Sequence, residues 1–373
     1  MDVSRHDITI QVAPGIQHRQ IKQGVLINIL ELAPDAVVIR PYRALDAGIG
    51  TESIISLARR YNALIAINGG YFEMAGTFRG ESVGALKIGG EWISEPEQKR
   101  AAIGLSMISG RVEALIDRIE LQIELVLQGD KTLAIDGLNR ARIENELILY
   151  RPIFHAVTLT DLDGVEVLVR DNHVVDIRDG QGSSRIPDDG YVLSANASKR
   201  DWLVAHLSVG DKICIRETVI PQHIETQKQW QAIEHIISGG PLLLRGGVPT
   251  SSEDHDAEGF DRVFHDWWHP RTAAGVKADG TLILVTITAK NPKAKWGVKL
   301  SKLTEFLLEW GARDALNLDG GDSTMMVING EVVSKRLPSP HKKKTVQGNR
   351  RIQPLPSDVG RPIADALVIF RQQ

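Results

Sequence analysis

Apolar and polar positions in this chain fall into short strand-like runs, interrupted by a few stretches of helical period. Residues 8–12 and 25–32 alternate or run apolar and predict strands, as does Val37-Val38-Ile39 before Pro41. Ile54, Ile55, Leu57, Ala58 and Tyr61 recur on one helical face, with Thr51 as the expected N-cap and Glu52 in the first turn. A strand at 63–67 then stops at Asn68-Gly69-Gly70-Tyr71-Phe72, and further strands are expected near 83–88 and 101–108.

From residue 111 the texture changes. Short β-like runs at 112–116, 119–127, 147–149, 165–169, 173–177, 191–194 and 213–219 lie between turns, with a helix predicted at 197–207 and Gly210 just beyond it. A helical stretch at 229–235 leads through Ile236-Ile237-Ser238 into Gly239-Gly240 and a strand at 241–244, which Gly246-Gly247 turns. Residues 249–270 are polar, rich in His, Asp and Trp, and read as a long functional loop. A small-residue strand begins at Arg271-Thr272, and the apolar run 282–288 predicts a strand covered on both faces. After a loop at 289–298, a helix at 299–310 ends at Gly311, and a strand at 315–318 reaches Asn317-Leu318-Asp319-Gly320-Gly321-Asp322-Ser323-Thr324. A polar, basic linker at 334–358 precedes a closing strand at 366–370.

Three strands that end in Gly-Gly, each preceded by a helix, predict an α/β (α+β mixed) fold: a mixed β-sheet core flanked by helices, with an inserted mostly-β lobe. The corresponding division is 1–110 for the first half of the core, 111–235 for the lobe and 236–373 for the second half. Paired glycines permit backbone approaches that a Cβ forbids. Set side by side at the strands' carboxyl ends, the three junctions would form a floor of small residues and N–H groups able to accept a sugar face or an oxyanion.

Composition narrows the classes. The 373 residues are 42% hydrophobic and 24% charged, as in ordinary globular proteins, and the net charge of -3 argues against a nucleic-acid or other polyanion binder. His341-Lys342-Lys343-Lys344 reads as a solvated loop, and no apolar run is long enough to span a bilayer. The start, Met-Asp-Val-Ser-Arg-His-Asp, lacks the basic-then-apolar pattern of a signal peptide, so the chain as given reads as cytoplasmic. The single cysteine, Cys214, excludes an intrachain disulfide; between Ile213 and Ile215 it is expected to be buried in a strand.

Five segments in order resemble the phosphodiester glycosidase family: Ala66-Ile67-Asn68-Gly69-Gly70-Tyr71-Phe72, Ile237-Ser238-Gly239-Gly240-Pro241-Leu242-Leu243, Arg271-Thr272-Ala273-Ala274-Gly275-Val276 with Asp279-Gly280, Ala315 through Met325, and Arg361-Pro362-Ile363-Ala364-Asp365-Ala366-Leu367. The resemblance spans residues 25–110 and 236–370. It implies hydrolysis of a sugar-1-phosphodiester at the glycosidic bond, on an N-acetylglucosamine-1-phosphodiester or a related small or polymeric glycan or cell-envelope diester. Relatives are commonly secreted or at the cell surface, unlike the reading of the start. Two departures stand out. Many relatives carry a small residue or serine where Asp322 stands, and the family often has Asp-Gly where this chain has Thr288-Ala289-Lys290-Asn291.

Breaking such a bond builds oxocarbenium character on the sugar while the phosphate leaves as an anion, so the site needs a cation and a carboxylate. Arg271 is the expected phosphate ligand, a structural salt bridge being its bland alternative. Asp319 is the expected carboxylate, as base or nucleophile, against a turn-stabilising aspartate; Asp322 is the second. Asn68 and Asn317 are assigned to sugar hydroxyls or an N-acetyl group. Ser323, Thr324, Thr272 and the N–H groups of Gly70, Gly240 and Gly321 are assigned to phosphate or the transition state. Gly239 and Gly320 complete the substrate-binding floor, Tyr71 edges the cleft, Phe72 is core, and Glu258, with Glu73, is a cleft acid. No cofactor is expected, although His255, His265 and His269 share a loop with acids that a divalent cation would suit. The competing readings are a metal-assisted phosphodiesterase cutting P–O through Asp319, Asp322 and His265, and a non-catalytic carbohydrate- or envelope-polymer-binding module.

Overall fold

A computed structural model of the chain describes residues 6–97, 99–129, 131–289, 296–334 and 360–372. Most of the 289–298 loop, the basic 334–358 linker and the 341–344 cluster lie outside the described residues. Strand exceeds helix, 47% against 16%, so the mixed fold leans strongly to β.

The largest sheet runs His6–Ala13, Ile16–Gln23, Val25–Leu32, Leu282–Ala289, Arg271–Lys277, Ala312–Leu318, Leu242–Arg245 and Val248–Pro249, every neighbouring pair antiparallel. Leu282–Ala289 is buried at all positions, as its unbroken apolar run requires. Ile16–Gln23, too polar to be read as a strand, is held by pairing on both sides. A second sheet orders Glu331–Val332, Met326–Ile328, Ile65–Asn68, Asp365–Arg371 and Val37–Arg43, so the closing strand lies inside it. A third contains Ala101–Ile108, His235–Ser238, Leu86–Ile88, Glu91–Ser94 and Arg111–Val126. Arg111–Val126 is one continuous strand where two were predicted: its first half pairs with Ala101–Ile108, its second with Cys214–Pro221 and Thr132–Ile135. Residues 137–196 contribute a separate five-stranded sheet, with helix Ala197–His206 against it.

Inner faces of the first three sheets close on a single core. Leu30, Leu284 and Leu318 come from the first, Ile65, Ile67 and Leu367 from the second, Ile103, Leu105 and Ile237 from the third, all buried. Each such side chain contributes about 1.5–3 kcal/mol of burial. Helix Leu300–Glu309 covers the outer face of the first sheet through Leu300, Leu303 and Leu307; helix Ile54–Arg60 covers that of the second through Ile54, Leu57 and Ala58.

Several local expectations change. Ser53, not Thr51, caps Ile54–Arg60 by accepting from the Ser56 N–H, while Glu52 accepts from the Leu45 N–H, the Ser56 hydroxyl and Arg60. The helix before Gly239 stops at Ala232, and His235 already belongs to the strand. The supposed long loop folds into helices Ser252–Ala257 and Arg262–Asp266, the first held by a Ser251–Asp254 capping box and the second capped by Asp261. Cys214 is exposed; Ile213, one residue earlier, takes the buried side of the chain.

Candidate functional site

The three Gly-Gly junctions end strands of three different sheets, and backbone hydrogen bonds pull them together. The Asp319 N–H donates to the Gly69 carbonyl at 3.1 Å and the Gly240 N–H to the Asn317 carbonyl at 2.7 Å. A Cβ at Gly239 would collide with the Asn317 carbonyl, and one at Gly70 would stand 2.7 Å from the Ser238 carbonyl oxygen. The glycines therefore serve the close crossing of the strands. The expected floor of free N–H groups does not form. Gly70 donates to the Asp365 carboxylate at 2.8 Å, Gly240 to Asn317, and Gly321 to the Pro270 carbonyl at 2.9 Å.

Asn68 and Thr272, assigned to substrate, are engaged with the protein. The Asn68 Nδ2 donates to the Asp319 carbonyl at 2.6 Å, and its Oδ1 accepts from the Thr272 hydroxyl at 2.8 Å and the Met325 N–H at 3.1 Å. One buried amide thus fixes the backbone on both sides of the Asp319 turn. The Asn317 Nδ2 contacts the Tyr71 hydroxyl and the Gly240 carbonyl, each at 3.0 Å, and the Tyr71 hydroxyl donates to the same carbonyl at 2.9 Å. Buried beside these groups, the Asn317 Oδ1, Ser323 Oγ and Thr324 Oγ1 have no hydrogen-bond partner among the described residues. Orphaned polar atoms of this kind are costly in a finished core and common where a ligand completes the set.

Asp319 keeps partial solvent access, yet protein atoms crowd its carboxylate. Burial pushes it up to about 7, against the pull of Ser323, Arg361 and the Gly320 N–H, with Asp365 adding to the rise. Ser323 lies beside it without an aligned hydrogen bond. The Arg271 guanidinium is 1% exposed, and its Nε and Nη2 donate to the Val298, Phe264 and Trp267 carbonyls, with Phe264 beneath it at 4.7 Å. No carboxylate among the described residues pairs with it, so the structural salt bridge is absent and burial pulls Arg271 down to about 10, still fully cationic at neutral pH. Burial drives the Tyr71 phenol well above its ordinary range; Asp319 adds to this, and Arg271 and Arg100 oppose it, with the Arg100 guanidinium 5.6 Å from the Tyr71 ring.

Asp322 is buried and ion-pairs with Arg361 at 3.1 Å, while Asp365 is buried with Arg43 at 3.7 Å. Glu258 is corrected outright. It is fully buried, and its carboxylate takes Arg118 Nε at 2.7 Å and the N–H groups of Ala101 and Leu242, leaving nothing for a cleft. Glu73 is exposed and caps its own turn at Ala75. His255 bonds the Thr250 hydroxyl at 2.9 Å and meets His265 edge-to-face; burial pulls it down to about 4. Among the described residues, no three His, Cys, Asp or Glu side chains group as a cation site. The sequence reading did not single out Arg100, Asp365 or Arg361. Arg361 and Asp365 sat inside a matching segment, but Arg100 carries no motif at all.

Over 246 residues the chain is 26% identical to an uncharacterised protein of Rickettsia conorii, covering 62% of this chain and 77% of that one. Over 114 residues it is 33% identical to the Bos taurus N-acetylglucosamine-1-phosphodiester alpha-N-acetylglucosaminidase, which covers 28% of this chain and 21% of the bovine protein. The chain therefore corresponds to about a fifth of that relative's length. A solved structure of a hypothetical protein from Synechocystis superposes on 99% of this chain and 64% of its own with a TM-score of 0.79 at 21% identity, a likeness of fold. No helix among the described residues is long and apolar enough to cross a membrane. The phosphodiester glycosidase family model matches residues 163–370, which take in the second and third Gly-Gly junctions, Arg271 and the Arg361–Asp365 segment but not Asn68. With more than half its length matched, this chain belongs to the phosphodiester glycosidase family.

Proposed function

We propose that the chain hydrolyses the glycosidic C–O bond of a sugar-1-phosphodiester and releases free sugar. An N-acetylglucosamine-1-phosphodiester, or a related glycan or cell-envelope diester, is the substrate class. The observation that carries this reading is a buried guanidinium without a carboxylate partner among the described residues, together with a carboxylate poised near neutrality, each acting electrostatically on Tyr71. A buried lone cation costs several kcal/mol, which a bound phosphate offsets.

In the reaction, the Asp319 carboxylate takes a proton from water as the water oxygen bonds to the anomeric carbon. The bond from that carbon to the phosphate oxygen breaks with its electron pair on oxygen. The phosphate then leaves as a monoester carrying one more negative charge than the diester did. Arg271 offsets that charge, and the Asn317 Oδ1, Ser323 Oγ and Thr324 Oγ1 take the sugar or phosphate hydrogen bonds. A base at about 7 suits neutral water activation, since efficiency peaks when pKa and working pH agree.

Turnover of α-linked sugar-1-phosphodiesters in ¹⁸O-water tests the reading. Label in the sugar is expected, with release of the inverted anomer; retention would make Asp319 the nucleophile instead. Label in the phosphate would mean P–O cleavage and end the proposal. Arg271→Ala and Asp319→Asn should each lower kcat/KM by about 10²–10⁴-fold. If the wild type turns over no such diester, the carbohydrate-binding reading takes its place.

A further inference from the structure

Arginines around the site fall into two groups. Arg43, Arg118 and Arg361 are each matched to a buried acid: Asp365, Glu258 and Asp322. Arg271 and Arg100 have no carboxylate partner among the described residues. Arg100 is half-buried just before strand Ala101–Ile108. Its guanidinium lies 5.6 Å from the Tyr71 ring centroid and 5.0 Å from that of Phe260, and its Nε donates to the Glu258 carbonyl at 3.3 Å. The neighbouring acid cannot neutralise it, because the Glu258 carboxylate already takes Arg118 and two backbone N–H groups. Tyr71 and Phe260, 5.7 Å apart, form an aromatic seat that orients the cation without discharging it.

We infer that Arg100 is a second anion-binding residue of this cleft, holding the charge that the phosphate gains as it leaves. This rests on the proposed glycosidase reaction, and its logic is charge balance. A phosphodiester enters with one negative charge and its phosphate monoester departs with two, so a site carrying one lone cation is matched to the substrate and a site carrying two is matched to the leaving product. Arg271 is fixed by three carbonyls and suits the charge that is always present. Arg100 has more solvent access and a single hydrogen bond, and suits the charge that develops.

Two measurements separate this inference from the reading beneath it. Binding of inorganic phosphate at pH 8, where the dianion dominates, requires no turnover. Calorimetry should show phosphate binding to the wild type weakened about tenfold in Arg100→Ala and partly restored in Arg100→Lys, with an unchanged thermal midpoint. On a sugar-1-phosphodiester, Arg100→Ala should lower kcat by about 10²-fold while KM for the singly charged diester shifts little. Phosphate binding unchanged in Arg100→Ala would overturn the inference even if the glycosidase activity is found. Phosphate binding lost in the variant, with no diester turned over by the wild type, would keep Arg100 as an anion ligand and discard the reaction and the leaving-charge role with it. A loss confined to KM would also overturn the leaving-charge role.

Discussion

At the scale of single residues, the base role proposed for Asp319 links function to stability with opposite signs. Its carboxyl rises from 3.8 to about 7 because burial disfavours the charged form. A group whose folded pKa is raised contributes stability in full below its unfolded value, and that contribution is lost as pH rises through the folded value. The wild type therefore gives up stability between about pH 4 and pH 7, the same interval in which the carboxylate becomes competent as a base. Replacing the carboxyl by an amide removes the penalty. Asp319→Asn should show a higher thermal midpoint than the wild type at pH 8, with the difference shrinking toward pH 4 in calorimetric scans. In the wild type, kcat/KM should climb through an acidic limb near 7. A limb near the ordinary aspartate value, or a variant less stable at pH 8, would remove Asp319 from the role of crowded base.

At the scale of elements, Glu258 and the glycine junctions show what a motif hides. Glu258 bridges the start of strand Ala101–Ile108, the start of Leu242–Arg245 and Arg118, so it holds two sheets together from a loop. Glu258→Ala takes from the half-buried Arg118 its nearest carboxylate and leaves two buried N–H groups unpaired, and should destabilise by about 3–5 kcal/mol in denaturant titration. Below the melting transition, KM should be near the wild-type value; a selective rise in KM would return Glu258 to the cleft. The helix–strand–Gly-Gly recurrence was legible because helical period, apolar strand and paired glycine are local signals. That these strands belong to three sheets was not, since pairing partners such as Ile65–Asn68 and Asp365–Arg371 are far apart in sequence. Asp319 and Arg271 stood out as charges on otherwise small or apolar strands. The commitments of Asn68, Thr272 and the glycine N–H groups depend on what lies across the junction, which no local pattern encodes. Arg100 went unread for the same reason: that no carboxylate among the described residues pairs with it is a property of the fold.

At the scale of the molecule, the boundary read at residue 111 falls at the first residue of a strand that pairs on both sides of the division. Arg111–Val126 pairs with Ala101–Ile108 in its first half and with Cys214–Pro221 in its second. Ile119, Ile123 and Leu125 on that strand pack in one cluster with Leu147, Val165 and Leu193 from the 137–196 sheet and with Trp230 and Ile236 beside the Gly239 junction. A shared strand and a shared apolar cluster leave no clean seam at which the inserted sheet can open alone. Ile123→Ala removes a 4%-exposed side chain from the middle of that cluster and should cost about 2–5 kcal/mol. The loss should reach both sides. Hydrogen-exchange protection should fall together in Gly164–Arg170, within the inserted sheet, and in Ala101–Ile108, beside the site, and diester hydrolysis should fail at the same temperature as the bulk unfolding signal. Protection lost only in the inserted sheet, with hydrolysis persisting above that transition, would show two independent units. In that case Arg111–Val126 would be a tether between them, and the site would depend on the three core sheets alone.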